Sequence, residues 1–347
     1  MSSPTLQVIA DMLRLSKSTV SRALSGDPRV AEGTRARVAS LASHMGYTPN
    51  PTARALATRR TNTIGLAVPW APRSLSDPFY LEFLGAAGDE AMRNGYSLLL
   101  STPDGDGAGA VRAHAELADP RRIDGMILTE PRADDERIAL LRGVGLPFVI
   151  LGVAPDPDVS WISGDNTAGA RDAVDYLIGL GHTRIACITG PPDQTASDAR
   201  FEGYRSAMCS AGLSIDRNIM AAGDFTQSGG HFAMRAIIDS GRAPSAVFAC
   251  NDVMALGAMR ALREAGLAVP ADVSVVGFDG ISMAEYVDPP LATVKQPIQE
   301  LGRMAVQILI GGMSGEAGPA HCVLPVQFQP RDSVGPPRSG ANVTGRG

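Results

Sequence analysis

The sequence predicts an all-α N-terminal head followed by a larger α/β body of two parallel-sheet lobes. Its 347 residues suffice for two or three domains of about 150 residues each. The formal charge is +6 in residues 1–60 and −11 in the remainder, although the whole chain carries only −5. Hydrophobic spacing is helical throughout the head, whereas the body alternates short apolar runs with helical stretches. A basic head on an acidic body is typical of a nucleic-acid-binding module joined to another function.

The head contains three predicted helices. The first spans 6–13, and the second spans 17–24 with Ser16 as its N-cap. The third covers about 31–45. Arg14 stands at the turn between the first two helices, where a positive φ would cost a residue other than glycine about 1 kcal/mol. This order is typical of a helix-turn-helix module, whose second helix enters the major groove of DNA.

The second helix has a polar side that could read DNA. Lys17, Ser18, Ser21 and Arg22 fall on that side. Arg22 can donate two hydrogen bonds to a guanine, and Lys17 can reach a guanine or a phosphate. The alternative is a solvated helical domain with incidental charge, because helix-turn-helix patterns have many false positives.

A segment over 50–62 joins the head to the body. Asn50 is a suitable N-cap, and Pro51 follows at the favoured first helical position. The predicted helix has barely two turns, which is too short for stability on its own. We therefore expect this hinge helix to form only against a partner.

Several motifs, taken together in their order and spacing, resemble the LacI–GalR family of bacterial transcriptional regulators. They are Val20-Ser21-Arg22, Gly46-Tyr47-Thr48-Pro49-Asn50, Ala53-x-x-Leu56, Gly181-His182-Thr183-Arg184-Ile185-Ala186, Asn251-Asp252-Val253-Met254-Ala255-Leu256-Gly257, Val275-Val276-Gly277-Phe278-Asp279 and Pro290-Leu291-Ala292-Thr293-Val294-Lys295-Gln296. The resemblance extends from Thr5 to about Pro336.

The resemblance implies roles for eight residues of the head and hinge. It assigns base reading to Lys17, Ser18 and Arg22, positioning contacts with the DNA backbone to Thr19, Ser21 and Asn50, and the DNA-binding hinge to Ala53 and Leu56. Leu56 corresponds to an apolar wedge inserted into the minor groove at the centre of the operator. The alternative for Leu56 is plain packing in a linker helix.

For the body, the resemblance implies a periplasmic-binding-protein-like fold of two lobes joined by three crossovers. These are expected near Ile162–Ser163, Pro290–Thr293 and Leu324–Gln327. The predicted domains are a helix-turn-helix domain over 1–49, a hinge helix and linker over 50–62, an effector-binding and dimerisation domain over 63–337, and a disordered tail over 338–347. Lobe 1 is expected over about 63–162 and 292–325, and lobe 2 over about 163–290.

An effector site is predicted in the cleft between the lobes, because ligands of parallel sheets bind at the carboxyl ends of strands. By resemblance and by strand-end position the candidates are Asp77, Phe79, Arg200, Phe225, Asn251, Asp279 and Gln296. Such charged, amide and aromatic groups favour a sugar or a similar polar metabolite. Two alternatives stay open: Asp252 is either a ligand contact or the cap of the next helix, and Phe79 is either a contact or a core residue. Val153 stands where many relatives have a polar residue.

The expected function is that of a ligand-responsive, sequence-specific DNA-binding repressor of carbohydrate-metabolism genes. Its expected partners are a palindromic operator, a small-molecule effector and a second copy of the chain. A dimer is expected and not a tetramer, because the tail lacks the heptads of a tetramerising coiled coil. No enzymatic activity, cofactor or metal site is expected: no catalytic constellation stands out, and the five His and four Cys lack ligand spacing. The scattered cysteines, and the absence of a signal peptide or bilayer-length apolar run, favour the cytoplasm and association with the nucleoid.

Two other classes of protein share some of these sequence features. A nicotinamide-dependent enzyme could use the G-x-G-x-x-A pattern over 105–110, but Asp104 and Asp106 put negative charge where its phosphate would lie. A periplasmic sugar-binding protein would share the two lobes, but it should carry a signal peptide and no helix-turn-helix head. Salt-sensitive DNA binding separates a regulator from both.

Overall fold

The computed structural model describes residues 5–47, 60–68, 76–101, 114–132, 134–315 and 318–338. The chain divides into two compact units, a head (Met1–Asn62) and a body (Thr63–Gly347). The predicted hinge helix, with Asn50, Ala53 and Leu56, lies outside the described residues, and so does the glycine-rich pattern over 105–110. No helix in the described ranges is both long and apolar enough to cross a membrane.

The three predicted helices of the head are confirmed as α1 (Leu6–Leu13), α2 (Lys17–Leu24) and α3 (Glu32–His44). Their apolar faces meet in one small core around Ile9, Ala10, Val20, Ala23, Val30, Val38 and Ala42. Arg14 ends α1 with φ 52° and ψ 45°, so the turn does place a non-glycine residue in the left-handed region.

The first sheet of the body is entirely parallel and has the strand order β11-β5-β4-β3-β1-β2. Its strands are β1 (Thr63–Ala67), β2 (Ser97–Ser101), β3 (Gly125–Thr129), β4 (Phe148–Leu151), β5 (Trp161–Gly164) and β11 (His321–Leu324). The flanking helices are α4 (Pro78–Arg93), α5 (Glu136–Val144) and α10 (Ile298–Ser314). Apolar clusters cover both faces of this sheet, as a parallel sheet requires.

The second sheet has the order β12-β10-β9-β8-β6-β7 and is parallel except for the β10–β12 pair. Its strands are β6 (Ile185–Thr189), β7 (Met220–Ala222), β8 (Ala246–Ala249), β9 (Ser274–Asp279), β10 (Ala292–Lys295) and β12 (Gln327–Gln329). Its helices are α6 (Asn166–Gly179), α7 (Thr195–Ser210), α8 (Gln227–Asp239) and α9 (Asp252–Glu264). The two sheets give the predicted two-lobed α/β body.

The structure moves two of the three expected crossovers. The first was expected near Ile162–Ser163, but β5 runs to Gly164 within the first sheet. The second was expected near Pro290–Thr293, with lobe 1 resuming at 292, and this was wrong because β10 pairs with β9 and completes the second sheet. The chain therefore returns to lobe 1 only at Gln296 and Pro297, before α10. The third passes from β11 to β12, between Leu324 and Gln327.

The segment after β12 is bound to the second lobe by hydrogen bonds and an ion pair. The buried Ser333 hydroxyl accepts a hydrogen bond from the backbone N–H of Ala292 at 2.8 Å and donates to the carbonyl of Val275 at 2.6 Å. The two ring nitrogens of His182 contact the Gly335 carbonyl at 2.8 Å and the Ser245 hydroxyl at 2.9 Å. Arg338, the first residue of the predicted tail, forms an ion pair with Asp272.

Candidate functional site

Helix α2 presents a polar surface on the head. Ser16 caps it as predicted, because its hydroxyl accepts the Thr19 N–H at 3.1 Å. Val20 and Ala23 are buried in the head core. The predicted DNA contacts Lys17, Ser18, Ser21 and Arg22 are exposed on the same short helix, and Thr19 is half-buried.

The charges on this helix are available to a partner. The side chains of Lys17 and Arg22 form no hydrogen bond or ion pair with another residue of the described head, whereas the nearby Arg29 is paired with Asp27 at 2.7 Å. The hydroxyls of Ser18 and Thr19 lie 2.7 and 2.8 Å from that of Ser16. The exposed charges of Lys17 and Arg22 are therefore not neutralised by ion pairs within the described head.

All seven predicted effector residues line one cavity in the body. It encloses about 640 Å³, including the open solvent at its mouth. Lobe 1 supplies Asp77 and Phe79. Lobe 2 supplies Arg200, Phe225, Asn251 and Asp279, and Gln296 stands in the crossover before α10. We call this cavity the cleft.

Arg200 is the most highly connected side chain in the cleft. It lies on α7, and its Nε donates to Asn166 Oδ1 at 2.8 Å. One terminal nitrogen donates to the Cys250 carbonyl at 2.5 Å, and the other lies 3.0 Å from Asp279 Oδ1. The guanidinium also lies over the Phe278 ring, 3.9 Å from its centroid. Packing, hydrogen bonds and charge all hold this guanidinium in one position.

Asp279 ends β9 in an unusual backbone conformation. Its φ is 115°, and positive φ also occurs at two other non-glycine residues that line the cleft, Glu130 (48°) and Phe225 (61°). Strain of this kind clusters at functional sites. Burial raises the pKa of Asp279, while Arg200 and the hydrogen bond from Gln296 at 2.9 Å oppose the rise.

Asp77 combines a structural and a site position. It caps α4 by accepting the Phe79 N–H at 3.0 Å. Burial, and then the negative charge of Asp279, raises the pKa of the Asp77 carboxyl to about 7. Phe79 packs edge-on against Tyr80 with ring centroids 5.2 Å apart, and its half-buried ring also contacts the lobe 1 core. Phe79 therefore packs on the core and also lines the cleft, and its contact with a ligand stays a prediction.

Asp252, which was expected to be either a ligand contact or the cap of α9, has neither role in the structure. Asn251 is the cap of α9, since its Oδ1 accepts the Met254 N–H at 2.9 Å. Asp252 is fully buried and accepts the N–H groups of Gly280 and Ile281, so it fixes the loop after β9. Burial raises its pKa to about 8. It does not line the cleft, and neither does the exposed Val153.

The candidates chosen from the sequence did not include four polar residues that line the cleft: Glu130, Ser163, Asn166 and Gln194. Glu130 follows β3 directly and Asn166 comes soon after β5, so the strand-end argument could have found both. Glu130 accepts hydrogen bonds from the Tyr80 hydroxyl at 2.8 Å and from Gln194 Nε2 at 3.1 Å. Because Gln194 lies in lobe 2, this carboxylate connects the two lobes beside the cleft.

A second cavity adjoins the cleft. It encloses about 1460 Å³ with open solvent included, and it shares Asp77, Tyr80, Glu130, Gln194 and Phe225 with the cleft. Its other parts are lined by polar side chains, among them Arg132, Asp224 and Gln227, and by apolar ones, namely Val253, Leu256, Ile281 and Met283. Because the two cavities adjoin, together they could hold a ligand that is larger than the cleft alone.

The described residues offer no candidate metal centre: no group of three or more His, Cys, Asp or Glu side chains among them could hold an ion. A helix-turn-helix head and a body with a ligand-sized cavity are together typical of a ligand-responsive DNA-binding regulator.

Comparison with known proteins agrees with that class. The profile described as bacterial regulatory proteins, lacI family, matches residues 5–50, and that of a periplasmic binding protein-like domain matches residues 174–334. The transcriptional regulator CelR of Thermobifida fusca is 37% identical over 336 residues, covering 95% of this chain and 98% of the relative. The ribose operon repressor of Escherichia coli K12 is 38% identical over 309 residues, 88% of this chain and 92% of the relative.

Solved structures agree as well. The complex of a regulator CelR with cellobiose superposes with a TM-score of 0.74 at 35% identity, over 95% of this chain and 99% of that chain. The lac repressor dimer bound to operator and the anti-inducer ONPF has a TM-score of 0.86 at 29% identity, over 96% and 100% of the two chains. The chain belongs to the LacI family of bacterial regulatory proteins. Its named relatives regulate transcription and are not enzymes.

Proposed function

We propose that the protein is a sugar-responsive repressor that binds a palindromic operator as a homodimer and senses its effector in the cleft. The observation that carries this proposal is that seven side chains, chosen from the sequence, line one cavity between the lobes. Carboxylates, a guanidinium, amides and aromatic rings in one cleft suit a sugar, whose hydroxyls need partners and whose ring has an apolar face. The cellobiose complex of CelR and the name of the ribose operon repressor support the same ligand class.

On the DNA side, we propose base reading by Lys17, Ser18 and Arg22, with positioning contacts from Thr19 and Ser21. The exposure of the two unpaired basic side chains on α2 supports this assignment. Asn50, Ala53 and Leu56 remain predicted hinge contacts, with Leu56 as the minor-groove wedge. Such a regulator is expected to work in the cytoplasm, on the DNA of the nucleoid.

The proposed dimer has a candidate contact on α4. Leu81, Gly85, Gly88 and Met92 recur at helical spacing on one side of that helix. Leu81 and Met92 are 55% and 72% exposed, and no atom lies within 4 Å of a Cβ built on Gly85. Small residues between apolar ones allow two helices to approach closely. A twofold copy of α4 packed on this stripe fits a palindromic operator, and the lac repressor is itself a dimer on its operator.

Gln296 offers a route from effector to lobe arrangement. It lies in the crossover between β10 and α10, lines the cleft, and donates to Asp279 at 2.9 Å. A ligand that contacts either residue therefore acts on a segment that connects the lobes. An effector alters operator affinity only if it prefers one lobe arrangement, and typical coupling energies are about 1–3 kcal/mol.

Fluorescence anisotropy with the purified full-length chain tests the proposal. The probe is a palindromic duplex that the protein itself selects from a random pool, titrated at two salt concentrations and with D-ribose or cellobiose. We expect salt-sensitive binding that one of the sugars changes. Arg22→Ala should weaken specific binding by about 1–3 kcal/mol and relax specificity at one position. Arg242→Ala, which removes a surface ion pair with Asp216 in the body, is the matched control. If the protein selects no duplex, or if its DNA binding does not depend on salt, the proposal of a DNA-binding regulator is rejected.

The hinge has its own test. Leu56→Ala should weaken binding to the selected duplex far more than binding to a scrambled duplex, because wedge insertion accompanies only the specific complex. Equal losses on both duplexes reject the wedge role.

A further inference from the structure

Negative charge predominates in the cleft. Among its described lining residues, three carboxylates (Asp77, Glu130 and Asp279) face one guanidinium, that of Arg200. Asp77 belongs to lobe 1 and Asp279 to lobe 2, yet they are close enough for the charge of Asp279 to raise the pKa of Asp77. Two carboxylates from opposite lobes thus repel each other across the space that a ligand would occupy.

Arg200 is the cation among the described residues that line the cleft, and its guanidinium already has partners in the protein. All three guanidinium nitrogens of Arg200 have protein partners: Asn166, the Cys250 carbonyl and Asp279. Its charge is balanced by Asp279, and both side chains are nearly inaccessible, at 7% and 4% exposure. A phosphate or carboxylate entering the cleft would have to compete with Asp279 for this guanidinium and would remain beside the other two carboxylates.

The amide donors are engaged too. Gln296 Nε2 donates to Asp279, Asn251 Nδ2 to the Phe225 carbonyl, Gln194 Nε2 to Glu130, and Asn166 Nδ2 to Ser163 Oγ. Each of these nitrogens therefore has one of its hydrogens or more directed at the protein. Among the described lining residues, Gln296, Asn251 and Gln194 each keep one amide hydrogen for a ligand, and these neutral donors do not balance the charge of an anion.

Acceptors, in contrast, remain available. The Phe79 N–H binds only Oδ1 of Asp77. Gln296 donates to Oδ1 of Asp279, and the nearest contact of Arg200 is with the same oxygen. Within the part of the chain that the structure describes, Oδ2 of either carboxylate accepts no hydrogen bond. Two carboxylate oxygens, one from each lobe, can therefore accept from a ligand.

We propose that the effector is a hydrogen-bond donor without negative charge, and that the cleft selects neutral or amino sugars over phosphorylated and carboxylated ones. Hydroxyl or ammonium groups would donate to Asp77 and Asp279, and hydrogen bonds to ionised acceptors are about twice as strong as neutral ones. A donor that bridges the two carboxylates also draws the lobes together. This inference rests on the proposed sugar-responsive function and assigns Asp77 and Asp279 as the residues that set charge specificity.

Isothermal titration calorimetry of the full-length chain at about pH 8 tests the inference with matched ligands. The neutral arm uses D-ribose, D-glucose and cellobiose, the anionic arm D-ribose 5-phosphate, D-glucose 6-phosphate and cellobionate, and the cationic arm D-glucosamine. We expect a neutral or cationic ligand to bind, and its anionic counterpart to bind about 100-fold more weakly or not at all, since like-charge contacts cost several kcal/mol. An anionic ligand that binds as tightly as its counterpart overturns the inference but leaves the sugar-responsive function intact. Absence of binding in every arm removes that function, and the inference with it.

Asp77→Asn sharpens the test, because asparagine keeps the shape and the helix cap of aspartate and removes only the charge. The variant should narrow the ratio between neutral and anionic affinities by about 10-fold, the effect of removing one like-charge contact. Asp172→Asn, on the exposed face of α6, is the matched control and should leave the ratio unchanged. An unchanged ratio in Asp77→Asn, with the fold intact by circular dichroism, rejects Asp77 as a specificity residue.

Discussion

Arg200 and Asp279 form a buried ion pair that joins helix α7 to the end of strand β9. The terminal nitrogen and the carboxylate oxygen are 3.0 Å apart, and Gln296 donates to the same oxygen from the crossover that follows β10. A buried ion pair stabilises little relative to apolar residues of the same shape, but loss of one partner leaves an uncompensated charge. The pair therefore fixes the geometry of the cleft more than it adds to overall stability.

Arg200→Met should lower the free energy of unfolding by about 3–5 kcal/mol, because Asp279 then remains buried without its counter-charge. The Cys250 carbonyl and Asn166 also lose a donor. Chemical denaturation of the purified protein measures this loss. Arg205→Met is the control on the same helix, since Arg205 makes an exposed ion pair with Glu202. The control should change stability by less than about 1 kcal/mol, and equal losses in the two variants would contradict a special role for the buried pair.

Gly190→Ala should displace the Phe225 ring from the cleft wall. A Cβ built on Gly190 would overlap that ring, so the ring has to move to accommodate alanine. We expect overpacking to cost about 1–3 kcal/mol, together with weaker binding of any sugar that the wild type binds, measured by calorimetry.

Gly179→Ala is the matched control for that substitution. Gly179 ends α6, and no atom lies within 4 Å of a Cβ built there. Alanine in a helix is favoured over glycine by roughly 0.5–1 kcal/mol, so this control should keep or raise stability. Normal sugar affinity in Gly190→Ala would show that the Phe225 ring does not contact the ligand.

Local signals in the sequence predicted much of the fold and the site. Ser16 revealed the start of α2 because capping depends on one side chain and a neighbouring N–H. Arg200 and Asp279 stood out because charges near strand ends are hard to explain as packing.

Other features depend on contacts between distant residues, and the sequence alone did not reveal them. Glu130 meets Gln194 only because two lobes close beside each other, and no pattern near either residue indicates the other. The apolar run at β10 is compatible with either lobe. It belongs to the second lobe because β10 pairs with β9 and the Ala292 N–H donates to Ser333. Asp252 was a candidate cap for α9, but Asn251 caps that helix and Asp252 accepts hydrogen bonds from the loop after β9, which is distant in the sequence.

Ser333→Ala should release the C-terminal segment from the second lobe. The hydroxyl is fully buried between the Ala292 N–H and the Val275 carbonyl, so its removal leaves both without this partner. We expect a loss of about 1–3 kcal/mol in the free energy of unfolding, and faster hydrogen exchange at Ala292. Ser314→Ala, which removes an exposed hydroxyl at the end of α10, should change stability by less than about 0.5 kcal/mol. Unchanged hydrogen exchange at the Ala292 N–H would contradict a role for Ser333 in holding the C-terminal segment on the second lobe.

Asp77 should make stability depend on pH. Its pKa is raised from 3.8 to about 7 in the folded state, so between about pH 4 and pH 7 the folded chain holds a proton that the unfolded chain has lost. The free energy of unfolding therefore falls as pH rises through this window. Asp77→Asn lacks this titration, so its stability relative to wild type should increase from pH 5 to pH 8, measured by denaturation at each pH. Glu202→Gln is the control, because Arg205 lowers the pKa of Glu202 and keeps it ionised throughout the window. A constant difference between Asp77→Asn and wild type would show that this carboxyl is already ionised at pH 5.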